Sequence, residues 1–152
     1  MASSHLAVSL LAGSVALVGK ARMIAGLDWL VFVLIQNSAA LSIDLNAKDR
    51  SNGWTAFHVA CYNGNSKVAK ILMQNSNEFK IDINGRSKFN STAFHFACQS
   101  GDTKLVDMII DNAKSYNLNL TAKDDFGDTG FQYAFDVDVI NLIKMKLPST
   151  TL

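Results

Sequence analysis

The sequence has little charge imbalance, little cysteine and almost no proline. Lys and Arg number 14 and Asp and Glu number 13 in 152 residues, so the formal net charge is +1. A protein that binds nucleic acid through its phosphates usually carries a strong basic excess, and the composition therefore predicts no nucleic-acid partner. Two cysteines are too few for the disulfide framework of a small secreted domain. One proline and nine glycines exclude a collagen-like chain and a proline-rich disordered chain.

Long hydrophobic runs are also absent, and the N-terminus comes closest to having one. Residues Leu6 to Val18 are almost all apolar or small, and a second apolar run extends from Leu30 to Ile35. Both runs are shorter than the roughly 20 residues of a membrane-spanning helix. We predict that residues 1–25 form an apolar variant segment that packs onto the domain downstream. The less favoured alternative is a targeting or anchoring segment of a membrane-bound or secreted chain, although no Lys or Arg leads it.

An internal repeat of 37 residues, counted from Thr55 to Thr92, organises most of the chain. The phrase TAFHVAC at Thr55–Cys61 recurs as TAFHFAC at Thr92–Cys98, and another step of 37 reaches TGFQYAF at Thr129–Phe135. Self-similarity at a period of this size is typical of solenoids, in which each unit stacks on the next.

Each unit is predicted to contain two helices and an extended arm. After the short helix and its glycine, apolar residues such as Val68, Ile71 and Leu72 recur at spacings of three and four, which define one face of a second helix. The alternating segments at 81–84 and 117–120 are typical of a short arm. Glycine or asparagine stands where a tight turn is expected in each unit: Gly53, Asn90 and Gly127.

A unit of turn, short helix, glycine, longer helix and arm resembles the ankyrin repeat. The family phrase Gly-x-Thr-Pro-Leu-His-x-Ala-Ala is similar to Gly53–Cys61 here. The resemblance implies an all-α solenoid of stacked helix-turn-helix units with short hairpin-like arms. Alanine or glycine replaces the family's proline, and the period exceeds the family's ~33 residues. The predicted boundaries are a segment at 1–25, a repeat domain at 26–146 (a half repeat at 26–49 and repeats at 50–86, 87–123 and 124–146), and a tail at 147–152.

The additional residues of each unit fall after the second helix. Leu41, Phe79 and Tyr116 occupy the same place in three units. We predict that the second helix continues for another turn and that these side chains pack between neighbouring units. The register is lost upstream of Gly26, so the first unit is predicted to keep its second helix and to lack the standard first one.

Two His-x-x-Cys pairs, His58 with Cys61 and His95 with Cys98, suggest zinc or thiol chemistry at first sight. One zinc ion needs all its ligands within ~2.3 Å, whereas equivalent residues on stacked helices lie ~8–10 Å apart. We therefore expect no metal, no cofactor and no catalytic residue, and metal binding stays a remote alternative. The resemblance implies instead that the histidine supports the turn by hydrogen bonding and that the cysteine replaces a small buried alanine.

The resemblance implies a protein-binding module in the cytoplasm or nucleus, with a protein partner that the sequence does not identify. Ankyrin-repeat proteins bind partners through their turn tips and the exposed face of their short helices. The most prominent of these positions here are aromatic, as interface anchors often are: Trp54, Tyr62, Phe89 and Phe126. For Phe89 and Phe126, packing over neighbouring turns is an equal alternative. The other implied contact residues are Arg50, Ser51, Asn52, Asn63, Lys88, Ser91, Gln99, Ser100, Asp125 and Asp128.

Overall fold

The computed structural model describes residues 27–147. Within this range there are seven α-helices and one 3₁₀ turn, and the single β-bridge joins Lys123 to Thr129. The elements in chain order are α1 (Leu27–Gln36), α2 (Ala56–Tyr62), α3 (Ser66–Gln74), α4 (Ser76–Phe79), α5 (Ala93–Ser100), α6 (Thr103–Asn112), the 3₁₀ turn (Gly130–Tyr133) and α7 (Val137–Lys146). None of the helices in the described range is long and apolar enough to cross a membrane.

The helices form two parallel rows. The short helices α2 and α5 and the 3₁₀ turn stack in one row, and the longer helices α1, α3, α6 and α7 stack in the other. Between the rows lies one continuous hydrophobic core of residues that are at most 9% exposed, among them Val68, Leu72, Leu105, Ile109 and Ile143. The predicted all-α solenoid is therefore confirmed.

Each complete short helix begins with the same hydrogen-bonded cap. The Thr55 backbone N–H donates to Nδ1 of His58 at 3.1 Å, and the Thr55 hydroxyl lies 2.8 Å from the same nitrogen. Thr92 and His95 repeat this arrangement at 3.1 and 2.9 Å. A side chain at the third helical position thus satisfies a backbone donor that the helix leaves free.

The predicted extra turn is present in three units, but it is separated from the second helix by a break. The N–H groups of Leu41, Phe79 and Tyr116 each donate to the carbonyl four residues earlier, at 2.9–3.1 Å. The residue that follows each turn has a left-handed backbone, with φ of 52°, 53° and 51° at Ser42, Lys80 and Asn117. A left-handed residue ends a helical turn, and the chain then enters the arm.

The packing predicted for the extra turn holds in two units and is wrong in the first. Phe79 and Tyr116 are partly buried against the core, whereas Leu41 is 56% exposed. Leu41 belongs to the first described unit, and no earlier unit lies within residues 27–147 to cover it.

The last unit departs from the predicted pair of helices. Its short helix is replaced by the 3₁₀ turn at Gly130–Tyr133. Thr92 precedes the cap of the next helix, Asp102, by ten residues, whereas Thr129 precedes Asp136 by only seven. Three fewer residues leave too little chain for two helical turns. The last unit therefore repeats the sequence phrase of the earlier units, but the segment that follows the phrase is shorter.

The predicted boundaries stay predictions. The segment at 1–25 and residues 148–152 of the predicted tail lie outside the described residues.

Candidate partner-binding surface

Three hairpin-like tips project from the described solenoid, one before each short helix or 3₁₀ turn. Tip 1 is Asp49–Trp54, tip 2 is Ser87–Ser91 and tip 3 is Asp124–Asp128. In each tip the first residue donates its N–H to the carbonyl of the last residue at 2.9 Å. Together the three tips form the tip row.

The first side chain of each tip also accepts hydrogen bonds from the tip's own backbone. Asp49 Oδ1 accepts from the N–H groups of Asn52 and Gly53 at 2.6 and 3.0 Å, and Asp124 Oδ1 accepts in the same way from Phe126 and Asp128 at 2.9 and 3.1 Å. Asx turns of this kind hold a reversal without help from a sheet. The predicted turn residues all have positive φ, namely Gly53 at 69°, Asn90 at 57° and Gly127 at 82°.

Neighbouring tips are joined by backbone hydrogen bonds. The Lys88 N–H donates to the carbonyl of Asn52 at 2.9 Å, and the Asp125 N–H donates to the carbonyl of Phe89 at 3.1 Å. The Lys88 ammonium reinforces the first junction by donating to the carbonyl of Ser51 at 2.9 Å. The tip row is therefore a connected surface and not three independent loops.

Two phenyl rings stack on the outside of this surface. Phe89 of tip 2 and Phe126 of tip 3 have ring centroids 6.3 Å apart and an interplanar angle of 30°. Phe89 is nevertheless 54% exposed and Phe126 is 72% exposed. The packing alternative therefore holds for the contact between the two rings, and because they still face solvent their role in binding stays a prediction.

A second aromatic cluster connects tip 1 to the short helices. The Trp54 ring lies 4.7 Å from Phe96 and 4.9 Å from Tyr62, measured between centroids. Phe96 is only 8% exposed beneath them, whereas Tyr62 is 47% exposed. Trp54 is half-buried and joins its own unit to the next one, so its packing role is larger than the sequence predicted. Phe96 was not predicted as part of this surface, although the phenylalanine that replaces Val59 in the second copy of the phrase was a visible signal.

The two histidines lie behind the tips, in the row of short helices. Because Nδ1 of His95 accepts from the Thr92 N–H, its Nε2 carries the proton and donates to the carbonyl of Asp128 at 3.1 Å. Burial lowers the pKa of His95, partly offset by this hydrogen bond. Burial also lowers the pKa of His58, to about 4, although the carbonyls of Ser91 and Gly85 lie close enough to favour its protonation.

A comparison with protein families agrees with these features, namely a capped short helix, a histidine that supports the next tip and a row of linked tips. The profile described as ankyrin repeats, in three copies, matches residues 21–144. The chain belongs to the ankyrin-repeat family. Ankyrin repeats are generally protein–protein interaction modules. No curated protein matches the chain.

Most of the contact residues implied by the ankyrin pattern are accessible. Arg50, Ser51, Lys88, Gln99 and Asp125 are exposed, and Asn52, Asn63, Ser100 and Asp128 are partly buried. The expectation that Ser91 lies exposed is wrong, because it is 5% exposed. It closes tip 2, where its carbonyl accepts from the Ser87 N–H and its own N–H donates to Ser87 Oγ at 3.1 Å.

The cysteines of this ankyrin chain are buried thiols. Burial raises the pKa of Cys98 to about 12 and raises that of Cys61 further. A thiol that stays protonated is a poor nucleophile and a poor metal ligand. No cluster of three or more His, Cys, Asp or Glu side chains suited to a metal occurs in the part of the chain that the structure describes.

Tip 3 ends the described part of the tip row with an additional polar contact. The Tyr133 hydroxyl donates to Asp124 Oδ2 at 2.5 Å, and this hydrogen bond, with burial, raises the pKa of Tyr133 to about 12. Burial opposes ionisation of Asp124, but the bonds from Tyr133, Asp128 and Phe126 outweigh it and leave the pKa of Asp124 below its usual value. The contact holds Asp124 as the carboxylate that organises the tip.

Proposed function

We propose that this chain binds a protein partner through the tip row and the adjoining face of α2 and α5. The observation that carries the proposal is the stacked pair Phe89 and Phe126, which stays largely exposed on a backbone held by hydrogen bonds between tips. Exposed apolar side chains that lie together mark interaction sites. A rigid aromatic anchor also loses little conformational entropy when it is buried by a partner.

The charges on the tip row support a partner that binds in one orientation. Arg50 and Lys88 lie on tips 1 and 2, whereas Asp125 and Asp128 lie on tip 3. Tip 3 is therefore acidic, with no Lys or Arg, whereas the basic side chains of the row lie on the other two tips. Complementary charge contributes mainly to orientation and to the association rate, and it is screened by salt.

Tyr62 is the proposed anchor on the short-helix face, and Trp54 supports it. Tyr62 is 47% exposed and its ring rests against Trp54 at 4.9 Å. Replacing Trp54 would therefore remove packing from Phe96 as well as support from Tyr62. For this reason the phenyl pair gives a cleaner test of recognition than Trp54 does.

The test is affinity capture of partners by the full-length chain, compared with Phe89→Ala plus Phe126→Ala. Losing one anchor at an interface costs about 2 kcal/mol, which is roughly thirtyfold in affinity, so the pair should abolish capture of a micromolar partner. Phe32→Ala is the matched control, because Phe32 is 41% exposed on α1 in the other row of helices. Equal losses from the pair and from Phe32→Ala, with unchanged helical signal, would contradict the proposed surface.

A non-catalytic role and a cytoplasmic location are parts of the same proposal. The first is supported by the burial of both thiols and by the hydrogen bonds at Nδ1 of both histidines. Fractionation of the tagged full-length chain tests the second. Recovery in the membrane or secreted fraction would favour the targeting alternative for residues 1–25.

A further inference from the structure

Asparagine is followed directly by glycine at three places in the sequence. The pairs are Asn52–Gly53 in tip 1, Asn63–Gly64 at the end of α2, and Asn84–Gly85 in the arm that follows α4. In such a pair the glycine nitrogen can attack the side-chain carbonyl carbon of the asparagine, because no Cβ hinders its approach. The three pairs share this intrinsic chemistry, so the fold decides which of them reacts.

The reaction is deamidation through a cyclic imide. The glycine nitrogen loses its proton and forms a bond to Cγ of the asparagine, and the bond from Cγ to the side-chain nitrogen breaks and releases ammonia. Water then opens the imide at either carbonyl, which leaves aspartate or isoaspartate. Water is the only co-reactant.

A folded backbone resists the ring closure at all three places. Gly53 and Gly85 are buried and Gly64 is half-buried, so each glycine nitrogen reacts only when the local backbone opens. The rate at each pair therefore depends on the hydrogen bonds that the opening breaks.

Backbone hydrogen bonds hold the pair in tip 1. The Gly53 N–H, which carries the attacking nitrogen, donates to Asp49 Oδ1 at 3.0 Å. The Asn52 carbonyl accepts from the Lys88 N–H of tip 2 at 2.9 Å. Opening this pair therefore breaks the tip and its junction with the next tip.

The pair at the end of α2 is held in a similar way. The N–H groups of Asn63 and Gly64 donate to the carbonyls of Val59 and Cys61, each at 3.1 Å. The Asn63 side chain also donates to the Val59 carbonyl at 2.9 Å. The attacking nitrogen is again engaged as a donor.

The pair in the arm lacks such bonds. Among residues 27–147, no hydrogen bond between backbone groups involves Asn84 or Gly85. Asn84 is exposed, its N–H donates to Asp82 Oδ1 at 3.0 Å, and its Nδ2 donates to the carbonyl of Asn117 at 3.1 Å. Opening this pair breaks side-chain contacts and leaves the backbone ladder of the repeats intact.

We propose that Asn84 is a deamidation site of this protein and that it reacts faster than Asn52 and Asn63. The product loses a contact between units, because a carboxylate at position 84 cannot donate to the Asn117 carbonyl. It also places a second negative charge two residues from Asp82. Deamidation therefore loosens the junction between the arms of two successive units.

Timed incubation of the full-length chain in mildly alkaline buffer tests this proposal. Trypsin releases Asn84 in the peptide 81–86 and the other two asparagines in the peptide 51–67. Mass spectrometry with fragmentation then measures the conversion at each position. The same incubation in guanidinium chloride gives the rates without the fold, so the ratio of the unfolded rate to the folded rate is the protection at that position.

We expect the protection at Asn84 to be smaller than that at Asn52 or Asn63 by about fivefold or more, the weight of one hydrogen bond. Equal or greater protection at Asn84 would overturn the proposed site.

Gly85→Ala is the matched variant for the mechanism. It adds a methyl group beside the attacking nitrogen, and no atom would lie closer than 3.4 Å to the new Cβ, so the fold is kept. Conversion at Asn84 should slow while conversion at Asn52 stays the same. An unchanged rate at Asn84 would show that the imide is not the route.

Asn84→Asp tests the consequence of the reaction. It should lower the thermal midpoint by a few degrees, because the contact with Asn117 is lost. Asn77→Asp is the control, since it adds the same charge at an exposed position of α4 and leaves that contact in place. Equal midpoints of the two variants would overturn the proposed loosening.

Discussion

Replacing His58 with glutamine should make the stability of the protein less dependent on pH. The chain supplies the precedent, because Gln132 takes the histidine position in the last unit and its Oε1 accepts from the Thr129 N–H at 2.6 Å. Glutamine therefore keeps the cap that His58 gives Thr55, and it removes the titrating ring. At pH 7.5 we expect His58→Gln to unfold within about 1 kcal/mol of the parent, the scale of one neutral hydrogen bond.

The size of the effect follows from the lowered pKa of His58. Burial lowers that pKa from 6.5 to about 4, and the side chain is 1% exposed. Between these values the unfolded chain binds more protons than the folded one, so stability is complete above about pH 6.5 and is lost as the pH falls towards 4. One pKa unit corresponds to 1.36 kcal/mol, so from pH 7.5 to 4.5 His58 should cost the parent roughly 2–3 kcal/mol.

Urea unfolding at pH 7.5, 6.5, 5.5 and 4.5, followed by circular dichroism, measures this difference. From pH 7.5 to 4.5, the free energy of unfolding of His58→Gln should decline by roughly 2–3 kcal/mol less than that of the parent. His58→Ala is the control that loses the cap, and it should be less stable by about 1–3 kcal/mol already at pH 7.5. Parallel pH dependence in the parent and His58→Gln would refute the reasoning.

Three further outcomes are expected. Gly130→Ala should destabilise the protein by about 1–3 kcal/mol, because a Cβ at this position would lie 2.7 Å from Phe94 Cδ1. Gly85→Ala should not destabilise it, because no atom would lie closer than 3.4 Å to the new Cβ; equal thermal midpoints of the two variants would show that the contact with Phe94 relaxes. Tyr133→Phe should raise the pKa of Asp124 towards its usual value. The variant should therefore be less stable than the parent at pH values above that usual pKa, and the difference should shrink as the pH falls below it; acid unfolding curves that coincide would contradict this. Zinc or a chelator should leave the thermal midpoint unchanged, and a large loss on chelation would restore the metal hypothesis.

The sequence predicted the architecture well because its signals were local and repeated. The phrase at Thr55–Cys61 carries the capping threonine, the histidine and the buried small residues within seven positions. Each of these acts on its own helix, so their copies at Thr92–Cys98 predicted the same structure. The turn residues Gly53, Asn90 and Gly127 were predictable for a similar reason, since positive φ restricts the residue type.

The errors concern features that depend on neighbouring units. Leu41 was predicted to pack because it occupies the same place as Phe79 and Tyr116, but it belongs to the first unit of the described stack and is 56% exposed. The short helix of the last unit was predicted from the phrase at Thr129–Phe135, and the three missing residues before Asp136 prevented it. Repetition of a phrase does not report the length of the segment that follows.

The candidate surface was predicted in outline and not in detail. The turns lie where the sequence placed them, but whether a tip residue is exposed depends on its size and on the next tip. Ser91 is small and closes tip 2, whereas Trp54 at the corresponding position of tip 1 reaches Phe96 of the next unit. The stacking of Phe89 on Phe126 also required the spacing between tips, which the sequence alone does not contain.

Site-specific photo-crosslinking in cells tests the central claim, binding of a protein by the tip row, most directly. The full-length chain carries benzoylphenylalanine in place of Phe89 in one variant and in place of Phe32 in the other. Both residues are exposed phenylalanines, at 54% and 41%, on different sides of the solenoid. The account predicts a discrete crosslinked protein from position 89 and none from position 32. Crosslinking from position 32 alone, or the same adducts from both positions, would contradict it.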